Sequence, residues 1–236
     1  MRLMVCGRTS VKDYMDAPVT HFVTLIDPGE KEPAQQPRNA KYRLELVFSD
    51  LDDIEIHLPR FANYVPPQEE HIKEMVKFGR QLADFDDFGL LANCEAGISR
   101  STAAAITILT ASGYTPQQSF EIVQQVCPEM LPNRRILRLA DQMLGTNGDL
   151  HRLAERHRQE AFVRAGYEDP TLVRLREAQA EERTLKGFLR RMFAWIRLGK
   201  PLPDPRKAKV PSVVIDREAI LAQMAREESK TTAKAA

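Results

Sequence analysis

At 236 residues the chain holds one domain of ordinary size plus an extension, and no apolar run approaches the length of a membrane-spanning helix. Hydrophobic content of 43% and charged content of 28% are ordinary for a soluble protein. The net charge of +1 hides an asymmetry: residues 1–148 carry 15 Lys+Arg against 20 Asp+Glu (−5), and residues 149–236 carry 19 against 13 (+6). The acidic part shows no basic stripe with interleaved aromatics, so a nucleic-acid partner is not expected.

Leu3-Met-Val-Cys6 is a strand candidate, and the residues around it lack the apolar core and cleavage site of a secretory signal. Thr20–Ile26 is a stronger strand, stopped by the turn residues Asp27-Pro28-Gly29. His21 within it is read as structural, not catalytic. Residues 28–40 hold three Pro and read as a loop, and Lys41–Phe48 alternates apolar and polar residues as a third strand. Asp50, Asp52 and Asp53 follow. Glu55–Tyr64 then forms a loop at the rim of any pocket there. Its lone His57 has no second ligand at metal spacing, so no metal and no cofactor are expected. After Pro66-Pro67, residues 68–83 place Ile72, Met75, Val76, Gly79 and Leu82 on one helical face.

The most informative stretch comes next. Phe88–Ala92 reads as a buried strand, and Thr102–Thr110 continues a buried helix that begins near Ser101. Between them lies Asn93-Cys94-Glu95-Ala96-Gly97-Ile98-Ser99-Arg100-Ser101. A strand, a tight glycine-bearing loop and a helix N-terminus bring backbone N–H groups together, which suits a phosphoryl group. At the mouth of that loop the helix dipole favours a Cys94 thiolate, and Arg100 can grip two phosphoryl oxygens with its planar fork. Ser101 can donate a hydrogen bond to the sulfur. The loop residues Glu95, Ala96, Gly97, Ile98, Ser99 and Arg100 thus form the candidate phosphate cradle. A leaving group would need a proton from a carboxylic acid near Cys94, and Asp50, Asp52 and Asp53 are the candidates.

Cys94-Glu-Ala-Gly-Ile-Ser-Arg100-Ser101 resembles the phosphate-binding loop of the cysteine-dependent protein tyrosine phosphatases, closest to the dual-specificity branch and its compact bacterial relatives. The resemblance covers approximately residues 1–145. It implies an α/β domain in which the Cys attacks phosphorus, the Arg holds the phosphoryl group and no metal takes part. It also singles out Asp50 as the acid, although the spacing of 94 − 50 = 44 residues is long for a compact enzyme and implies an insertion within 54–67. The family usually has His before the Cys, where this chain has Asn93. An amide cannot carry a proton, so a higher thiolate pKa is expected with the site retained.

Thr115 caps a helix over Pro116–Val126, and Leu131-Pro132-Asn133 opens another that Gly145 stops. Asn133 has two readings: a helix cap, or by resemblance a brace for the phosphate-binding loop. Leu150–Arg158 and Thr171–Arg183 read as charged helices with solvated faces. Leu185–Lys200 is a basic amphipathic helix, suited to docking on a partner or on an anionic membrane surface. Pro201–Pro205 is a stiff linker, and Asp216 opens a last helix.

The fold expected is α/β: a central sheet of four or five mostly parallel strands flanked by helices, with a helical C-terminal extension. Three segments follow, with a catalytic domain at 1–148, a basic helical extension at 149–200 and a linker with terminal helix at 201–236. The function expected is hydrolysis of phosphotyrosine, or phosphoserine and phosphothreonine, in protein substrates through a phospho-cysteine. The alternatives are a catalytically weak module that captures phosphorylated partners, a phosphoinositide phosphatase, which Glu95 disfavours, and a chain whose basic tail does the work. Three cysteines, at 6, 94 and 127, without paired spacing point to a reducing, cytoplasmic setting.

Overall fold

The computed structural model describes residues 1–30, 35–166, 173 and 176. Four strands, β1 (Arg2–Gly7), β2 (His21–Ile26), β3 (Tyr42–Val47) and β4 (Gly89–Cys94), form one sheet in the order β1-β4-β2-β3, with every pairing parallel. Every residue of β2 and β4 is buried, as expected of central strands covered on both faces, whereas the edge strand β3 buries only Leu46.

Five helices follow among the described residues: α1 (Glu69–Leu82), α2 (Arg100–Ala111), α3 (Pro116–Val126), α4 (Arg134–Leu144) and α5 (Asp149–Ala165). The stripe expected on α1 is buried, and the helix starts at a capping box in which Gln68 N–H donates to His71 Nδ1 at 3.0 Å. The bounds of α3 match the expectation because its signals are local: Thr115 Oγ1 accepts from Gln118 N–H and Pro116 sits at the first position. Asn133 caps α4, and Gly145 ends it with φ of 69°.

The main core joins one sheet face to the helices, through Val23, Leu25, Leu90 and Ala92 against Ile72, Ile106, Ile108 and Leu137. A smaller cluster of Val11, Val19, Phe22 and Leu91 closes the other face beneath a 3-10 turn at Arg8–Tyr14.

His21 is structural, as its setting shows. It stacks on Tyr42 at 4.6 Å and meets Phe78, Phe85 and Phe88 edge-on. Burial pushes its pKa below the usual 6.5, and burial does the same to His71. Below pH 6.5 the unfolded chain therefore binds more protons than the folded one, so stability is complete above that pH and falls as the pH drops beneath it. In urea unfolding, His21→Phe is expected to reduce that acid-side loss.

One expectation is corrected. The helix at the start of the extension keeps a solvated face but also packs a stripe on the core. Leu150 and Ala154 of α5 join the main core, and His157 Nε2 donates to the Met130 carbonyl at 2.9 Å. Asp141 of α4 accepts from Leu150 N–H at 3.0 Å and His151 N–H at 2.9 Å, capping α5 with negative charge. This helix is therefore part of the α/β unit, not of a segment beginning at 149. The readings for Thr171–Arg183, the basic helix at 185–200, the linker at 201–205 and the helix from Asp216 lie outside the described residues, Val173 and Arg176 apart.

Candidate active site

Three strands end at one place. Cys94 is the last residue of β4, Asp27 follows β2, and Phe48 to Asp50 follow β3. The carboxyl edge of a parallel sheet is where such folds bind ligands. From Cys94 the chain turns through residues 95–99 into α2, whose first residue is Arg100.

The loop is held from outside by its carbonyls. Glu95 O accepts from Arg8 N–H at 3.1 Å, and Ile98 O from Leu131 N–H at 2.8 Å. Thr102 Oγ1 donates to Ile98 O and Ser99 O, and the Cys127 thiol donates to Gly97 O at 3.7 Å. With its carbonyls turned outward, the loop is free to present N–H groups within, and Gly97 N–H donates to Cys94 Sγ at 3.2 Å. Gly97 has φ of +83°, and a Cβ there would lie 2.4 Å from the backbone nitrogen of Gly7. Only glycine fits.

Ser101 Oγ lies 3.2 Å from Cys94 Sγ, as the sequence suggested. Burial pushes the Cys6 thiol up to about 12 and that of Cys127 up to about 11. Peroxide is therefore expected to oxidise Cys94 and leave Cys6 and Cys127 as thiols, read by mass spectrometry of the alkylated peptides.

Arg100 is 3% exposed. Its Nη1 donates to the Phe48 carbonyl at 2.7 Å and its Nη2 to Asp27 Oδ2 at 2.8 Å. The Nε is buried and hydrogen-bonds to no protein atom, with Asp50 Oδ2 3.9 Å away.

The three candidate acids separate by environment. Asp52 is buried and spent on structure, accepting from Arg134 and from Ile54 N–H and Glu55 N–H. Arg135 and Arg138 clamp Asp53. Burial alone would raise its pKa, but the hydrogen bonds from these two guanidinium groups hold it below the usual carboxylate value. Asp50 alone is exposed and faces the loop: its Oδ1 accepts from Ser99 Oγ and Asn133 Nδ2, both at 2.8 Å, leaving Oδ2 on the Arg100 side. Arg134→Ala would strand the buried Asp52 charge and is expected to cost about 3 kcal/mol, read from the urea midpoint.

The Asn133 side chain caps α4 and holds the segment after β3, not the loop itself. Its Oδ1 caps α4 through Ile136 N–H at 3.0 Å, while its Nδ2 holds Asp50 and the Leu51 carbonyl. It braces the carboxylate, and its backbone N–H reaches Ser99 O at 3.3 Å.

Asn93 makes no side-chain hydrogen bond to the loop. Its amide is wholly buried and makes no hydrogen bond to the protein. Successive strand residues face opposite ways, so it points away from Cys94, in one row with its register partners Cys6 and Thr24.

The segment 54–67 is tied beside Asp50, with Ser49 N–H donating to Val65 O at 2.7 Å. Tyr64 and Val65 are exposed there, and Phe61 packs edge-on to Tyr64 at 5.5 Å. A separate cleft of about 600 Å³ along α1 and α4, lined by Lys73, Lys77, Arg80 and Met143, contains none of the loop residues. Among the described residues no three His, Cys, Asp or Glu group as a metal site, and no helix is long and apolar enough to cross a membrane.

Asp27 is the site residue that the sequence reading missed, having been taken only as a turn former. Its contact spans 73 positions, and the sole hint was its place directly after a buried strand.

Comparison with solved structures finds chains of similar architecture. Human DUSP28 matches with a TM-score of 0.45 at 15% identity, over 65% of this chain and 94% of its own. DUSP15 matches with a TM-score of 0.43 at 20% identity over 65% of this chain and 90% of its own. The human tyrosine phosphatase-like serine/threonine/tyrosine-interacting protein matches at 0.42 and 18%, over 61% of this chain and 92% of its own. No protein-family model and no curated protein matches the sequence. At these identities the likeness concerns fold, not substrate.

Proposed function

We propose that the protein is a cysteine-dependent phosphatase that hydrolyses phosphotyrosine in protein substrates, with phosphoserine and phosphothreonine as second choices. The observation that carries this is the meeting at one loop of Cys94 Sγ, the inward Gly97 N–H, the buried Arg100 guanidinium and the exposed Asp50 carboxyl group.

The thiolate of Cys94 attacks phosphorus. As the S–P bond forms and the bond to the ester oxygen breaks, Arg100 and the loop N–H groups take up charge on the equatorial oxygens. Asp50, with Oδ1 occupied by Ser99 and Asn133, carries its proton on Oδ2 and gives it to the leaving oxygen. The resulting carboxylate then accepts a proton from water as that water attacks phosphorus. The S–P bond breaks, and Ser101 Oγ donates to the departing sulfur.

Exposed Tyr64 and Val65 beside Asp50 offer an apolar face for a tyrosine ring. The carboxylates of Asp27, Glu30 and Glu95 near the loop, with Arg8 paired to the latter two, disfavour a polyphosphorylated inositol. The test is metal-free turnover of an aryl phosphate, followed by comparison of phosphotyrosine, phosphoserine and phosphoinositide substrates. Turnover fastest on phosphotyrosine peptide supports the proposal. An inert protein that still binds phosphopeptide would replace it with a capture module.

A further inference from the structure

We infer that Asp27 is the positioning residue for Arg100, fixing the guanidinium plane so that its unused N–H groups face the bound phosphoryl group. The inference rests on the phosphatase reading and adds to it a residue outside the loop.

Arg100 sits where a cation is least comfortable, at the first position of α2, next to the positive end of that helix's dipole and almost wholly buried. Such a charge needs anionic partners. In the structure it has one direct carboxylate, Asp27 Oδ2 at 2.8 Å from Nη2. The Phe48 carbonyl holds Nη1 at 2.7 Å. Two anchors on different nitrogens, from the ends of different strands, fix the plane of the fork. They use two of the five N–H bonds of a guanidinium and leave Nε buried without a hydrogen bond to the protein, with Asp50 Oδ2 3.9 Å away. A preset fork loses little freedom when it takes up a phosphoryl oxygen.

The sheet supplies the placement. β2 pairs with β4 through Thr24 and Asn93, so the residues just past the two strands are neighbours at the same edge. Asp27 leaves β2 directly into a turn closed by Glu30 N–H on its own carbonyl at 3.2 Å. Its side chain is 40% exposed, so replacing it leaves no hole in the core.

The experiment compares wild type, Asp27→Ala, Asp27→Asn and Asp27→Glu as full-length chains. It measures inorganic phosphate affinity by calorimetry and kcat and KM for an aryl phosphate across pH. Asp27→Ala and Asp27→Asn are expected to bind phosphate about ten- to a hundredfold more weakly and to lose kcat/KM by a similar factor. The shape of the kcat profile against pH should be unchanged, and Asp27→Glu should recover part of the affinity. Wild-type affinity in Asp27→Ala would overturn the inference while leaving the phosphatase reading intact. Tighter binding would show Asp27 to be a competitor for Arg100, and loss of the alkaline limb in Asp27→Asn would make it the acid; either overturns the positioning role. A wild type that neither binds phosphate nor turns over would overturn both readings.

Discussion

Cys94→Ser should lose aryl phosphate turnover by about 10⁴-fold or more while keeping its fold and its affinity for inorganic phosphate. A serine hydroxyl is not ionised near neutral pH and is a far weaker nucleophile than a thiolate. Ser101 Oγ lies 3.2 Å from the sulfur and is placed to donate to it. The binding groups stay where they are, because Arg100 is held by Phe48 and Asp27 and the loop carbonyls by Arg8, Leu131 and Thr102. Phosphate affinity by calorimetry and turnover under one set of conditions separate chemistry from binding. Equal turnover in the variant would remove Cys94 from the mechanism.

Asp50→Asn carries the second large effect. Loss of a general acid costs on the order of 10³-fold in kcat for an ester with a poor leaving group, and less for one whose alkoxide or phenoxide departs unaided. The sign of the pH dependence follows from the role. A general acid must hold its proton in the first step, so its loss at alkaline pH removes that contribution. An amide has no proton to lose, so the variant's profile should lack that alkaline limb. Asparagine can still accept from Ser99 and Asn133 through its carbonyl oxygen, so the loop geometry is kept. An unchanged rate and profile would move the acid elsewhere. Asp27 would then be the candidate, because Asp52 is bound by Arg134 and Asp53 by Arg135 and Arg138.

Much of this site was readable because its signals are local. Strand, glycine, Ser-Arg-Ser and helix follow one another within a dozen residues, and each has a direct physical meaning. Helix α3 was legible to the residue, since Thr115 and Pro116 act on the backbone beside them. What escaped depends on which strands become neighbours. Asp27 meets Arg100 only because β2 lies beside β4 in the sheet, and nothing in Asp27-Pro28-Gly29 itself says so. The three aspartates after β3 could not be told apart in sequence, because the arginines that claim Asp52 and Asp53 come from α4, more than 80 positions on. The packing of α5 was hidden for a different reason: Leu150, Ala154 and His157 make a thin stripe among charged neighbours, and a histidine was not read as part of it.

Asn93 shows the limit of reading a motif by its neighbours in sequence. It precedes the cysteine, at the position where the family that the motif resembles usually has His. The strand pleat turns its amide to the other face of the sheet, toward Thr24 and Cys6.

The central claim is that phosphorus passes through sulfur. The most direct test is to mix wild-type protein with an aryl phosphate, quench in acid within the first turnover and map the labelled peptide by mass spectrometry. A single phosphoryl group on the peptide containing Cys94, absent from Cys94→Ser and more abundant in Asp50→Asn, is the predicted result. Steady turnover with no phosphoryl group on Cys94 at any quench time would contradict it.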